Sequence, residues 1–217
     1  MARQPARRII AVSWILTIAL IWCDWRFFTA NNTEMVHYPQ YVPEGMMLLA
    51  LTLSPVESIA WATMFGGLDE CFQYWYLMRG RAVGYDFNDI YMDLAGGAAG
   101  VVLAMAFLYC EPSRGSSPKQ TWQQIFSRTG IRVILGIVTL GVILCATGVA
   151  LVYSNPSSAH YWFALSRDKP PQYWYANPLF GPYKFHELSP IEGPILILAT
   201  IAAYAFLDRR VRITAKR

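Results

Sequence analysis

Charge is scarce in this chain. Only 15% of its 217 residues are Asp, Glu, Lys or Arg, against about 25% in an ordinary soluble domain, while 55% are hydrophobic and 15% aromatic. So little charge excludes a fully solvated surface and points to an all-α, polytopic membrane protein. The four cysteines, Cys23, Cys71, Cys110 and Cys145, are widely spaced and form no CxxC pair. That removes a disulfide framework and a zinc ribbon, and leaves buried apolar thiols as the expectation. HExxH is missing, as are a phosphate loop and a Ser nucleophile elbow. The basic residues are too dispersed for a nucleic-acid surface. "AGGAAG" at 95–100 follows no strand, so it reads as helix packing rather than dinucleotide binding.

Long apolar runs are what the chain has instead. Ile9 to Phe28, Asp89 to Tyr109, Val133 to Tyr153 and Ile191 to Leu207 match or approach the ~20 residues that cross a hydrocarbon core. The basic start and apolar stretch at the N-terminus resemble a signal peptide, but no small-x-small cleavage site follows directly, and the reading is an uncleaved first transmembrane helix. The region Gly45 to Met78 fits one span or two. "LSPVE" at 53–57 decides for two: Ser54 is an N-cap, Pro55 the first helical residue, and Glu57 the capping-box acid that reaches back to the Ser54 amide. "LSPIE" at 188–192 repeats the device with Ser189, Pro190 and Glu192. Pro39, Pro43 and Glu44 predict an irregular outer end for the second span, with its helix beginning near Pro43.

Basic residues supply an independent test. Six spans with both termini cytoplasmic put twelve Lys and Arg inside and six outside: Arg26, Arg79, Arg81, Arg167, Lys169 and Lys184. Five spans give eight inside and ten outside, against the positive-inside rule, so six is the expectation. The same topology places eleven of the fourteen acids on the outer half, an asymmetry that the rule for Lys and Arg does not itself require.

On the third span, Asp69, Glu70 and Gln73 share a helical face; on the fourth, Asp89, Asp93, Gly96 and Gly100 form one stripe. An antiparallel hairpin of the two sets Asp93 near Gln73, and sets Asp69 and Glu70 opposite the glycines, whose small size admits a close neighbour. An ionised carboxylate at membrane depth costs on the order of 2.5 to 3.5 kcal/mol, so such groups face a cavity, a partner charge or a shared proton. Arg79 and Arg81 are the candidate partner charges, and the acids read as the floor of a polar cavity open to the outside.

These residues resemble the VanZ-like family, integral membrane proteins named for a teicoplanin-resistance determinant. The likeness rests on His37 and Tyr41 in "HYPQY", Asp69, Glu70 and Gln73 in "DECFQ", Arg81 in "GR", and Asp89, Gly96 and Gly100 in "DIYMDLAGGAAG", and it covers roughly residues 9 to 110. Asp93 stands where the family has Asn, and the longer link from Gln73 to Asp89 lets Arg79 compete with Arg81 for the family's arginine. The resemblance implies a four-helix membrane core over 1–110. A cytoplasmic linker (111–132) and a two-helix extension (133–217) with an aromatic, Pro-rich outer loop (154–189) would follow.

Two functional readings stand. In the first, the protein sits in the bacterial cytoplasmic membrane and recognises an amphiphilic envelope ligand, lipid-linked or glycopeptide-like, through His37, Tyr41, Asp69, Glu70, Gln73, Arg79, Arg81, Asp89 and Asp93. No catalysis and no cofactor are required. The bland counterpart is a structural polar network. In the second, the chain is an accessory subunit of a larger membrane complex, with partner subunits on loop 154–189, where aromatic rings otherwise settle at the lipid headgroup level. A metal-assisted lipid-modifying enzyme using His37, His160 or His186 with the acids is the remaining alternative.

Overall fold

Beyond Asp93 the segment Phe87–Phe107 is apolar on every side, and a helix of that kind is stable only when surrounded. In the structure, a computed structural model, it is the central helix. Residues 4–30, 33–77, 85–107, 110–112, 120–153, 163–166, 173–176, 183–209 and 211–213 are described. The helices are α1 (Gln4–Phe27), α2 (His37–Thr52), α3 (Pro55–Phe72), α4 (Phe87–Phe107), α5 (Trp122–Phe126), α6 (Thr129–Ala146) and α7 (Glu192–Asp208). A 3-10 turn, Glu34–Val36, leads into α2, and a π-helical turn, Gln73–Leu77, extends α3. α1, α2, α3 and α7 surround α4. Leu49, Val56, Ile59, Leu94, Ala98, Val101, Ile201 and Tyr204 join in the resulting core. Among the described residues, three stretches are long and apolar enough to cross a membrane: Arg8–Phe27, Phe87–Phe107 and Thr129–Ala146.

The molecule is mostly helical, with short strands that an all-α expectation omits. β1 (Cys110–Pro112) pairs antiparallel with β6 (Val211–Ile213), and β4 (Trp174–Ala176) with β5 (Lys184–His186). β2 (Ala150–Tyr153) and β3 (Phe163–Ser166) run parallel. They lie outside the helices, where backbone groups without helical partners find them in each other.

Small residues set how closely the helices approach α4. A Cβ added to Gly45 would collide with the Gly97 carbonyl, and one on Gly100 with the Val42 carbonyl. At Gly96 it would lie 2.7 Å from Tyr38 O, and at Gly97 2.6 Å from the Ala62 Cβ. The α2 and α4 backbones are therefore in direct contact, in the manner of small-residue membrane interfaces.

Several local expectations are corrected. α2 begins at His37 rather than near Pro43. Pro39 falls in its first turn, where no N–H is needed, and Pro43 frees only the carbonyl of the exposed Pro39. α6 starts at Thr129 and stops at Ala146, short of Tyr153, because Gly148 turns left-handed (φ 74°) and its N–H closes on Cys145 O at 3.2 Å. Cys23 is exposed, and Cys71 and Cys145 are half-exposed, because each lies off the face its helix buries.

The two caps also differ. Ser189 and Glu192 make the reciprocal box, each side chain accepting the other's backbone N–H at 3.1 Å. At the turn from α2 to α3, Leu53 adopts φ 53°, and Ser54 Oγ accepts the Glu57 N–H at 3.4 Å. Glu57 does not reach back, because Thr52 Oγ1 already accepts the Ser54 N–H at 3.2 Å. Its carboxylate turns to α6 instead, accepting the Gly130 N–H at 3.5 Å and meeting Arg128 at 3.6 Å. Arg128 also reaches Asp208, whose Oδ2 accepts from Ser54 Oγ, so one guanidinium ties α3, α6 and α7 together.

Candidate functional site

The polar stripe on α2 begins at its first residue and carries His37, Tyr41 and Glu44 at i, i+4 and i+7. Because the glycines bring α2 against α4, His37 faces the α4 acids. Its Nδ1 lies 2.7 Å from Asp93 Oδ1 and its Nε2 3.7 Å from Asp89 Oδ2. Tyr41 stands beside the same Asp93 carboxyl. Asp93 is 1% exposed and rests on Gly66 of α3, where a Cβ would come within 2.5 Å of Oδ2.

α3 contributes Asp69, Glu70 and Gln73. Gln73 Nε2 donates to Asp69 Oδ2 and to Glu70 Oε1, both at 3.1 Å. The other oxygen of Glu70 accepts the Asp86 N–H at 3.2 Å, so both of its oxygens are engaged within the protein. Asp86 is the N-cap of α4: its Oδ1 accepts from Asn88 N at 2.8 Å and from Asp89 N at 3.4 Å. Burial pushes the Asp86 carboxyl up, against those two donors, which favour its ionised form. Glu70 thus fastens the end of α3 to the start of α4, and the Tyr85 hydroxyl does so again by donating to Gly67 O at 2.8 Å.

This register corrects the expected hairpin. Asp93 lies against Gly66, about two turns along α3 from Gln73, and Gly96 and Gly100 face α2 rather than Asp69 and Glu70. The physical reason is competition for the glycine face: α2 takes it because its own Gly45 permits backbone contact there.

His37, Tyr41, Asp69, Glu70, Gln73, Asp89 and Asp93 therefore gather at one end of α2, α3 and α4. Arg79 and Arg81 lie outside the described residues, as does His160. Asp86 and Glu44 join the cluster without having been expected as site residues from sequence. The signals for them were the Asx-type cap two residues before Asn88, and the i+7 spacing from His37. Asp24, fully buried on α1, is a further addition; its Oδ2 accepts from the Tyr38 hydroxyl at 2.9 Å. Ser13 and Thr17 share its buried side of α1.

Part of the loop 154–189 covers this end. Asn88 Nδ2 donates to Phe28 O at 2.7 Å and to His186 O at 2.9 Å, while its Oδ1 accepts the Leu188 N–H at 2.7 Å. The Tyr85 N–H reaches Leu165 O, and the Tyr74 hydroxyl accepts from Ala164 N, both at 3.3 Å. His186 stacks on Trp174 at 4.5 Å and bonds Glu192 at 3.1 Å, so it and His37 serve different carboxylates. Among the described residues, no three His, Cys, Asp or Glu side chains converge on one metal position.

Three buried carboxyl oxygens among the described residues have no hydrogen-bond partner: Asp24 Oδ1, Glu44 Oε1 and Asp93 Oδ2. Nearly all buried polar atoms in folded proteins are satisfied, so such atoms call for an explanation. Comparison with protein-family models, curated proteins and solved structures returned no match to this chain.

Proposed function

We propose that this chain is a VanZ-like, six-span protein of the bacterial cytoplasmic membrane, with both termini in the cytoplasm and the acidic end of α2, α3 and α4 facing outward. There it recognises an amphiphilic envelope ligand, lipid-linked or glycopeptide-like, by hydrogen bonding and charge, with no chemistry on the ligand. The observation that carries the reading is the convergence of His37, Asp89, Asp93, Asp69 and Gln73 at one helix-bundle end, with carboxylate oxygens there left unpartnered. A network whose sole purpose was to lock the helices would satisfy its own members, as Glu70 does.

The test has two parts. In a cysteine-free background, Thr33→Cys at the acidic end reacts with an impermeant thiol reagent on intact cells, while Ser127→Cys at the opposite end reacts only after lysis. The reverse pattern sinks the orientation. Mass spectrometry of the mildly solubilised protein then detects a bound amphiphile, and Asp69→Asn reduces its occupancy while leaving a monodisperse chain. A chain that is empty in every preparation sinks ligand recognition.

One observation favours the second reading, an accessory subunit of a larger membrane complex. α6 is apolar and little covered, with Ile137 55% and Val142 64% exposed. Stoichiometric co-purifying chains in mild detergent, lost when Ile137 and Val142 are changed to Trp, would select the subunit.

A further inference from the structure

At the end of the bundle opposite His37, two arginines are treated differently. Arg128 is neutralised: it meets Glu57 at 3.6 Å and Asp208 at 3.5 Å, and it donates to Gln120 Oε1 at 2.7 Å. Arg209, which closes α7 beside Asp208, joins no ion pair among the described residues. Its Nε donates to the Gln120 carbonyl at 2.9 Å, and its guanidinium lies 4.4 Å from the centre of the Trp122 ring. Nε and the ring face are thereby occupied. The N–H groups on Nη1 and Nη2 have no acceptor among the described residues, although a guanidinium presents them as a fork that fits a tetrahedral or planar oxyanion. A cation already held in place has little side-chain freedom left to lose when that oxyanion arrives. Arg209 is half-buried and Trp122 41% exposed, so both are reached from outside.

The surroundings say which oxyanion. α5 carries Trp122 and Phe126 four residues apart, with ring centres 6.2 Å from each other, and Phe126 is 53% exposed. Ile125 between them is buried in the core, so α5 is fastened with both rings outward. It ends three residues before Thr129, where the membrane-length stretch Thr129–Ala146 begins. Bare aromatic rings beside a cation, just outside such a helix, lie at the depth of lipid headgroup and glycerol, where Trp settles. The abundant oxyanion of that layer is the lipid phosphate, which pairs with a guanidinium through two parallel N–H bonds. One phospholipid meets both needs at once, its phosphate on Arg209 and its glycerol and first methylenes on the rings. An anionic one fits best, because no ammonium in its headgroup offsets the phosphate.

We propose that Arg209, Trp122 and Phe126 form a binding site for the phosphate of an anionic phospholipid in the leaflet at this end of the bundle. The inference goes beyond recognition at the acidic end and holds whichever leaflet faces the cytoplasm.

The test uses the full chain in nanodiscs of equal phosphatidylglycerol and phosphatidylcholine, with native mass spectrometry reading the lipids retained on release. One Arg at an anionic surface predicts that the retained ratio of phosphatidylglycerol to phosphatidylcholine falls about fivefold in Arg209→Gln. Arg209→Lys keeps the charge but loses the fork and recovers only part of the ratio. Arg132→Gln removes an equal charge from an exposed position one turn into α6 and leaves the ratio nearly unchanged. Equal losses in Arg132→Gln and Arg209→Gln overturn the site, since diffuse attraction then suffices; a ratio unmoved by Arg209→Gln overturns it too. Should Arg209→Gln fail to fold, Trp122→Leu decides: a lowered ratio supports the site and an unchanged one overturns it. Release of phosphatidylglycerol by millimolar inorganic phosphate overturns the lipid as occupant, as does a co-purifying protein chain that is lost in Trp122→Leu.

Discussion

The contact between α2 and α4 offers the sharpest physical test, because one substitution has opposite consequences at two glycines. Gly100→Ala puts a methyl group into the Val42 carbonyl, and a normal carbon to oxygen contact is restored only if the helices separate by roughly an ångström. Overpacking of this kind costs about 1–3 kcal/mol, against which better helix propensity returns at most about 1 kcal/mol. On α6, Gly136 has nothing within 4 Å of its hypothetical Cβ, so Gly136→Ala collects the propensity gain alone. The two variants should therefore differ by about 2 kcal/mol, with Gly100→Ala the less stable. At roughly 2–4 °C per kcal/mol for a chain of this size, thermal unfolding in a single detergent places Gly100→Ala about 4–8 °C below Gly136→Ala. Separation also pulls His37 from Asp93, which now sit 2.7 Å apart, so occupancy by the proposed ligand falls together with Tm. Equal midpoints for the two variants, or a lower one for Gly136→Ala, would refute backbone contact as the basis of the α2–α4 interface.

Other expectations follow from single interactions. His37→Ala removes the donor to the buried Asp93 Oδ1 and costs about 3–5 kcal/mol by thermal unfolding; in the double variant with Asp93→Asn the losses are less than additive, and strict additivity would mean the two groups do not interact. Asn88→Ala removes three hydrogen bonds to Phe28, His186 and Leu188, so limited proteolysis should cut residues 183–189 faster at a stability cost of about 2–4 kcal/mol. Leu53→Gly relieves a left-handed residue worth about 1–2 kcal/mol, so the midpoint holds or rises; a clear fall would show that the Leu53 side chain outweighs its backbone strain. Arg128→Lys does not rescue the loss seen in Arg128→Gln, because a single ammonium cannot span Glu57 and Asp208 as a guanidinium does; full rescue would reduce that junction to simple charge.

Much of this architecture was legible in composition and local chemistry. The apolar runs located the helices, since length and hydropathy are properties of a segment by itself. "LSPVE" and "LSPIE" marked two helix starts, because Ser caps and Pro at the first position act through neighbours in sequence. The shared faces of Asp69 with Gln73 and of Asp89 with Asp93 also followed from helical spacing alone. Which face meets which helix did not. Gly96 and Gly100 sit on the same stripe as Asp89 and Asp93, yet the partner they admit is α2, since Gly45 is the complementary small residue and its position in space depends on the Leu53–Ser54 turn. That choice sets His37 on Asp93, leaves one buried oxygen each of Glu44 and Asp93 unpartnered, and turns Glu70 from a candidate ligand group into the fastening of α3 to α4. Glu57 changed purpose likewise, because Arg128 and Gly130 arrive from a helix more than seventy residues away. Periodicity reports what a residue shares with its own helix. What it pairs with is decided by packing, in which non-adjacent segments compete for the same face and the closest-fitting one excludes the rest.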